Sequence, residues 1–268
     1  MSVPPVDVPV PARVRALAAD REITPVWVNQ LGGVTYRATG AEDALYIKYG
    51  PEPTAPEAER TAWAAAHLGT GGTRVPHVVG HGSEPVHDAA WAPPARVSPG
   101  ATPTVRSGSA HWLVTTALPY ASAVEQRWLA EPGTAVRALG VGLRRFHDAL
   151  TPAACPYRWD VPTRIHAARE AGRDVPEQLW DAPEPARLVV CHGDACAPNT
   201  LLDEAGEPRA HVDLGRLGVG DVWGDLAAAV FSLGLNYGPG WEASLLDAYG
   251  IDPDPGRLDY YTALWHAT

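Results

Sequence analysis

The chain has 268 residues, enough to bury a sizeable core as one large domain or two lobes. Its formal net charge of −10 argues against nucleic acid as a partner, because phosphate neutralisation needs basic patches. No run approaches the ~18 apolar residues of a membrane span.

The first third reads as β-rich. Pro25–Val28 is a short apolar run, Gly33–Thr39 is β-branched and aromatic, Gly40–Asp43 is a turn, and Ala44–Tyr49 is the returning strand. A helix is predicted from Glu57 to Leu68, with Pro56 in its first turn. Residues 69–76 break it. Residues 82–108, rich in Pro, Ser and Gly, read as a long surface loop. His111–Thr116 is another buried strand, and Pro119 marks a hinge. Helices dominate thereafter. Val136, Leu139, Leu143, Phe146 and Leu150 recur at spacings of three and four, one apolar face of a long helix. Leu188–Cys191 is a short strand, Asn199–Asp203 and Arg209–Asp213 form a hairpin, and helices follow at 222–235, 241–249 and 256–266. Met1–Pro11 has no basic n-region or apolar h-region, and three irregularly spaced cysteines suit a reducing compartment. A cytoplasmic protein, monomeric or weakly dimeric, is expected.

The most informative stretch is His192-Gly193-Asp194-Ala195-Cys196-Ala197-Pro198-Asn199, with Asp213 fourteen residues on. Phosphoryl transfer from a nucleotide needs a carboxylate to take a proton from the attacking hydroxyl and oxygen ligands to hold Mg²⁺ on the phosphates. Protein kinases use H-R-D-x-x-x-x-N with a later D-F-G. Here Gly193 stands in place of the Arg, and Asp213-Leu214-Gly215 in place of D-F-G. The hairpin would bring Asn199 and Asp213 side by side on one ion and leave Asp194 to face a hydroxyl. A turn residue is the bland reading of a lone Asp after Gly. Cys191, His192 and Cys196 lack paired ligands elsewhere at zinc spacing, so His192 reads as loop support. Asp221 and Asp225 read as a helix cap and a brace for the loop.

Twenty of the 21 basic residues are Arg, and the only lysine is Lys48. It lies on a strand, where kinases place a lysine that holds the α/β-phosphates and is oriented by a helix glutamate. Glu57 fits that partner, and Glu59 competes for it. Gly32 and Gly33, between two strands, would let backbone N–H groups approach phosphate oxygens. A hairpin turn is their alternative reading. No G-x-x-x-x-G-K-[S/T] is present, which excludes a P-loop enzyme.

At these residues the chain resembles the aminoglycoside O-phosphotransferases, in particular their 3′ and 3″ branch. Val190–Asn199 and Val212–Asp221, ending in Asp225-Leu226-Ala227, carry the resemblance, and Trp112–Pro119 and Phe146–Pro156 extend it. It implies an α+β, two-lobed protein-kinase-like fold: a β-rich nucleotide-binding lobe over 1–116 and a mainly helical catalytic and acceptor lobe over 117–268. It implies ATP or GTP as co-substrate, with Mg²⁺. Asp194 would be the catalytic base, Asn199 and Asp213 the metal ligands, and Lys48, held by Glu57, would sit on the phosphates. The base would lie against backbone near Thr115 and Ala117. Arg216 would fix the active-site segment and, with Trp265 and His266, line the acceptor side.

The sequence departs from the family in the nucleotide loop, on the acceptor side and in a longer 82–108 loop. Leu31 stands where the family carries a nucleotide-loop Ser. The stretch from Cys155 to Leu188 is shorter than the family's. Trp265 and His266 occupy positions where 3′-kinases carry acids that grip ammonium groups. Trp can stack on a sugar or base but cannot pair with an ammonium as a carboxylate does. The expected activity is phosphorylation of a sugar hydroxyl on an antibiotic, of aminoglycoside type or a less cationic nucleoside or other sugar-containing one, conferring resistance. A metabolic small-molecule kinase shares the same catalytic residues, and a nucleotide-binding pseudokinase is the alternative of another class.

Overall fold

A computed structural model describes residues 8–29, 31–69, 72–85 and 108–268. The chain divides into two compact units, one of residues 1–62 and 76–117, the other of 63–75 and 118–268.

The first unit begins with helix α1 (Ala12–Ala18). A five-stranded antiparallel sheet follows, of β1 (Glu22–Val28), β2 (Val34–Thr39), β3 (Ala44–Gly50), β4 (Val78–Pro85) and β5 (Ser109–Thr116), in the order β1-β2-β3-β5-β4. Helix α2 (Ala55–His67) leaves after β3. Period-2 alternation explains the layering. Val34, Tyr36 and Ala38 of β2 and Leu45, Ile47 and Tyr49 of β3 are buried. They pack with Val14 and Ala18 of α1 and with Ala110 and Val114 of β5. Each large side chain sealed there, such as Tyr36 or Ile47, contributes ~1.5–3 kcal/mol. The same alternation puts Lys48 on the other face from Ile47 and Tyr49. Pro25 is tolerated because β1 is an edge strand, with an irregular register between Pro25 and Trp27.

The second unit is mainly helical. Its elements are β6 (Ala121–Ser122), α3 (Gln126–Ala130), α4 (Pro132–Ala149), α5 (Val161–Glu170), β7 (Leu188–Cys191), β8 (Thr200–Leu202), β9 (Pro208–His211), β10 (Gly218–Asp221), α6 (Val222–Tyr237), α7 (Glu242–Tyr249) and α8 (Pro255–Ala267). The apolar face of α4 buries Val136, Leu139, Leu143 and Phe146. Helix α6 is apolar nearly all round and is buried from Val222 to Ala229, as expected of a core helix. Leu226 and Ala227 pack with Val161 and Ile165 of α5 and with Tyr261 and Leu264 of α8. Two small antiparallel sheets, β7–β10 and β6–β8–β9, carry the loops of interest.

The long segment read as a loop needs correcting at its start. Residues 82–85 belong to β4, paired with β5; 86–107 lie outside the described residues. The strand hides because Gly80 and Gly82 break the apolar pattern. Gly82 lies opposite Trp112, and a Cβ there would sit 2.7 Å from the indole. Helices α1 and α5 and strand β10 also escaped the sequence reading. Asp160 caps α5 by accepting the Thr163 N–H at 3.0 Å. Among the described residues no helix is long and apolar enough to cross a membrane.

Candidate active site

In the first unit, β3 aims Lys48 at the start of α2. Its Nζ lies 2.7 Å from Glu57 Oε1 and 2.9 Å from Oε2. Glu57, not Glu59, is therefore the partner. Both side chains keep some exposure, 30 % for Lys48 and 16 % for Glu57. The ammonium is oriented while remaining accessible to a ligand.

The turn after β1 closes on Asn29. Its Oδ1 accepts the N–H of Leu31 at 3.0 Å and of Gly33 at 2.7 Å, and its carbonyl accepts the N–H of Gly32 at 3.3 Å. A phosphate oxygen using these donors would have to take the place of the Asn29 amide oxygen. Leu31 is exposed. Thr115 pairs with Tyr46 across β5 and β3, and the Ala117 N–H donates to Ala44 O at 2.9 Å.

In the second unit, β7 delivers the chain into the His192 loop and α6 braces it from below. Asp225, 1 % exposed, accepts the His192 N–H at 2.6 Å on Oδ2 and the Gly193 N–H at 2.9 Å on Oδ1. His147 Nε2 lies 2.9 Å from the same Oδ2, and His147 Nδ1 lies 2.8 Å from the Tyr249 hydroxyl. Burial alone would raise the Asp225 carboxyl. The His147 hydrogen bond, the His147 and His192 imidazoles and the Gly193 N–H outweigh it and hold the group below the usual carboxylate range. Asp221 caps α6 through the Trp223 N–H at 3.0 Å.

Gly193 has φ +84°, and a Cβ there would lie 2.2 Å from the Arg216 carbonyl oxygen. That contact explains why glycine replaces the Arg of the kinase motif. His192 Nδ1 accepts the Asp194 N–H at 3.2 Å, which is the loop-supporting bond anticipated for it. The Asp194 carbonyl accepts from Cys196 N at 2.8 Å and from Asn199 Nδ2 at 2.9 Å. Its carboxylate Oδ1 is buried and has no hydrogen-bond partner among the described residues. Burial pushes the Cys196 thiol well up, and the neighbouring Asp194 charge adds to this. Cys196 is thus a neutral thiol beside the carboxylate, not a nucleophile.

Asn199 and Asp213 flank the open end of the hairpin. Thr200 pairs with His211, and the Val212 N–H donates to Asn199 O at 3.0 Å, with Asp213 next in the chain. The Asp194 carbonyl can only accept, so the Asn199 amide must turn its NH₂ toward it. The amide oxygen is then turned away from that carbonyl and free of this bond. Asp213 is exposed and has φ +66°, a left-handed backbone uncommon outside glycine and concentrated at functional sites. An amide oxygen and a carboxylate are the donor types that would suit Mg²⁺, which keeps waters and substrate phosphates for its other positions. No group of three His, Cys, Asp or Glu side chains arranged for a metal exists among the described residues.

Arg216 follows Asp213 by three residues and stands over the rings of Trp159 and Trp265, 5.6 Å from each centroid. His266 is exposed and meets Phe231 edge-on at 4.7 Å. Two residues of this region had no place in the sequence reading, Trp159 and Arg164. Asp225 had only a structural one, and a carboxylate in an otherwise apolar helix was the signal for it.

The profile of the phosphotransferase enzyme family matches residues 22–261. Aminoglycoside 3′-phosphotransferases of Streptomyces ribosidificus and Streptomyces fradiae are 29% and 30% identical, each over 87% of this chain and 90% of their own. The streptomycin 3″-kinase of Streptomyces griseus is 34% identical over 49% of this chain and 59% of its own. The crystal structure of an aminoglycoside 3′-phosphotransferase of type VIII superposes with a TM-score of 0.72 at 26% identity, covering 96% of this chain and 97% of that one. An α+β architecture with a β-sheet unit and a helical unit, the HGD-to-Asn199 loop with Asp213, and these relatives agree: the chain belongs to the phosphotransferase enzyme family, among the aminoglycoside O-phosphotransferases.

Proposed function

We propose that the protein transfers the γ-phosphoryl group of ATP or GTP, with Mg²⁺, to a sugar hydroxyl of an antibiotic in the cytoplasm, conferring resistance. The observation that carries this reading is the buried, unpartnered Asp194 Oδ1. Asp194 as a residue is only partly buried, with the Cys196 thiol beside it, so its carboxylate can accept the proton of a substrate hydroxyl. As the acceptor oxygen bonds to the γ-phosphorus, its proton passes to Asp194. The bond between that phosphorus and the β–γ bridging oxygen breaks, leaving a phosphate monoester and the nucleoside diphosphate.

Residues 1–116 serve the nucleotide in this scheme. Lys48, set by Glu57, offsets phosphate charge. The turn at Gly32 and Gly33 covers the phosphates once Asn29 releases its donors. The base lies along Thr115 and Ala117, reading carbonyl oxygens where the Ala117 N–H is already used. Residues 117–268 serve the acceptor. Asn199 and Asp213 would hold Mg²⁺, which supplies charge neutralisation on the phosphates. Such catalysis is mostly positioning and electrostatic stabilisation. The acceptor is less cationic than a typical aminoglycoside, because Trp265 and His266 offer no carboxylate to its ammonium groups.

The test is ADP or GDP release across neomycin-type, streptomycin-type and nucleoside antibiotics. Asp194→Ala should lower turnover by about 10²–10⁴-fold while retaining nucleotide binding. Equal turnover by that variant would sink the assignment of the base. Fast turnover of a polycationic aminoglycoside would sink the assignment of the acceptor.

A further inference from the structure

Beneath the His192 loop, three imidazoles surround one phenyl ring. Phe146 of α4 meets His147, His192 and His211 with ring centroids 6.3, 5.8 and 5.1 Å away. His147 has both nitrogens engaged, one by Tyr249 and one by Asp225. The other two rings do not. His192 is fully buried and His211 is 2 % exposed. His192 Nε2 and His211 Nδ1 are each buried without a hydrogen-bond partner among the described residues. Buried polar atoms are rarely left unpaired, and these two belong to adjacent rings, 5.4 Å apart between centroids.

The bonds made by the opposite nitrogens fix which atom carries each proton. Burial favours the neutral form of both rings. His192 Nδ1 accepts the Asp194 N–H at 3.2 Å, so the His192 proton is on Nε2. His211 lies with Nε2 against Gly142 of α4, whose backbone carbonyl takes a hydrogen bond from it. The His211 proton is therefore also on Nε2, and its Nδ1 carries a lone pair. One unpaired atom is thus a donor and the other an acceptor. Two imidazoles joined by an N–H···N bond of ~3.0 Å have centroids ~5.3 Å apart, since each nitrogen lies ~1.15 Å from its ring centre. The rings of His192 and His211 stand at that separation.

Their places in the chain give such a bond a consequence. His192 precedes Asp194 by two residues, and His211 precedes Asp213 by two. The backbone of His211 is pinned, since it pairs with Thr200 and its N–H donates to Arg74 O at 2.9 Å. Asp225 grips the loop through the backbone N–H groups of His192 and Gly193. A bond to His211 would hold the His192 side chain as well, from the strand that leads to Asp213.

We propose that His211 is a positioning residue whose Nδ1 accepts a hydrogen bond from His192 Nε2–H, tying the loop of Asp194 to the strand of Asp213. The bond closes by turning the two rings on their side-chain torsions, with the backbone in place. His211 touches no substrate. It acts through His192, whose Nδ1 holds the Asp194 N–H. The effect on turnover rests on the proposed phosphotransfer, whereas the tie itself does not.

Nitrogen NMR of the full chain, with ¹⁵N in the histidine rings, tests it. Both residues should show the Nε2–H tautomer, and a scalar coupling should connect His192 Nε2 with His211 Nδ1. Absence of that coupling in the native chain, a measurement that needs no variant to fold, overturns the proposal; an internal water joining the rings would give this result. So does an Nδ1–H tautomer at either residue. His211→Phe, which keeps a ring and loses the acceptor, should lower kcat by about three- to tenfold with the nucleotide KM unchanged. His211→Asn, whose Oδ1 stands in for Nδ1, should recover part of that loss. A lower Tm with unchanged kcat in His211→Phe would make the residue structural and overturn its positioning role. An antibiotic panel that releases no ADP or GDP, in a protein that shows the coupling, would overturn the phosphotransfer and leave the tie standing.

Discussion

Replacing Asp225 by Asn removes a charge from beneath the His192 loop while preserving side-chain shape. In the native chain its two oxygens face three donors: His192 N at 2.6 Å, Gly193 N at 2.9 Å and His147 Nε2 at 2.9 Å. An amide has one oxygen. If that oxygen keeps His192 and His147, the NH₂ group faces the Gly193 N–H and a buried donor is orphaned. The orphan costs ~1–3 kcal/mol. Loss of charge assistance in the two surviving bonds costs roughly another 1 kcal/mol. At ~2–4 °C per kcal/mol for a protein of this size, Tm should fall by roughly 5–15 °C. Asp194 is the residue after the displaced Gly193 amide, and misplacement near 1 Å can cost ~10²-fold. Thus kcat should fall by about 10–100-fold with the nucleotide KM little changed.

The effect has a pH signature. The folded Asp225 carboxyl lies below its unfolded value of ~3.9. The unfolded chain therefore takes up that proton first. The stabilisation is present above the unfolded value and is lost as pH falls from roughly 5 through the folded value. Asn has no such proton to take up, so the Tm gap between the two proteins should narrow on acidification. Calorimetric scans at pH 7 and pH 4, with steady-state kinetics at pH 7, check this. Equal Tm and kcat in both proteins at pH 7 would refute the brace. So would a gap that widens in acid.

Gly193→Ala should lose activity and melt lower, because its Cβ would press on the Arg216 carbonyl from a left-handed backbone that alone costs an L-residue ~1–2 kcal/mol; a thermal scan with an activity assay shows both. Glu57→Gln should raise the nucleotide KM while shifting stability by less than about 1 kcal/mol, as for other partly exposed pairs; a large Tm loss would make the pair structural. Asp213→Gly and Asp213→Ala should both be inactive, with the glycine variant more stable by about 1–2 kcal/mol because φ is +66°; denaturant titration decides. Gly82→Ala should destabilise by about 1–3 kcal/mol through its clash with Trp112, and a melting curve checks it.

The readable parts of the chain were those governed by short-range rules. Val136 to Phe146 announced α4 through spacing, and Leu188–Cys191 announced β7 through length and β-branching. The HGD loop and Asp213 stood out because phosphoryl transfer would restrict residue type at fixed separations, and the structure bears out their placement on one loop and one hairpin. Strand β4 was not legible, because its glycines answer to Trp112 thirty residues away. The pairing of Trp159 and Arg164 with Arg216 and Trp265 was equally hidden. It depends on α5 and α8 packing on α6, a tertiary fact with no local signature. Asn29 shows the same limit at short range, since a side chain that occupies the donors of its own turn looks like any polar residue before Gly-Gly.

Lys48 carries the only side-chain amine of the protein, and Glu57 holds it in one place on β3. An amine-directed acylating reagent therefore has a single internal target. Labelling would report occupancy at one atom, without the background that a lysine-rich surface imposes. Protection of that atom by added nucleotide would convert a residue of the sheet into a direct gauge of where the phosphates rest.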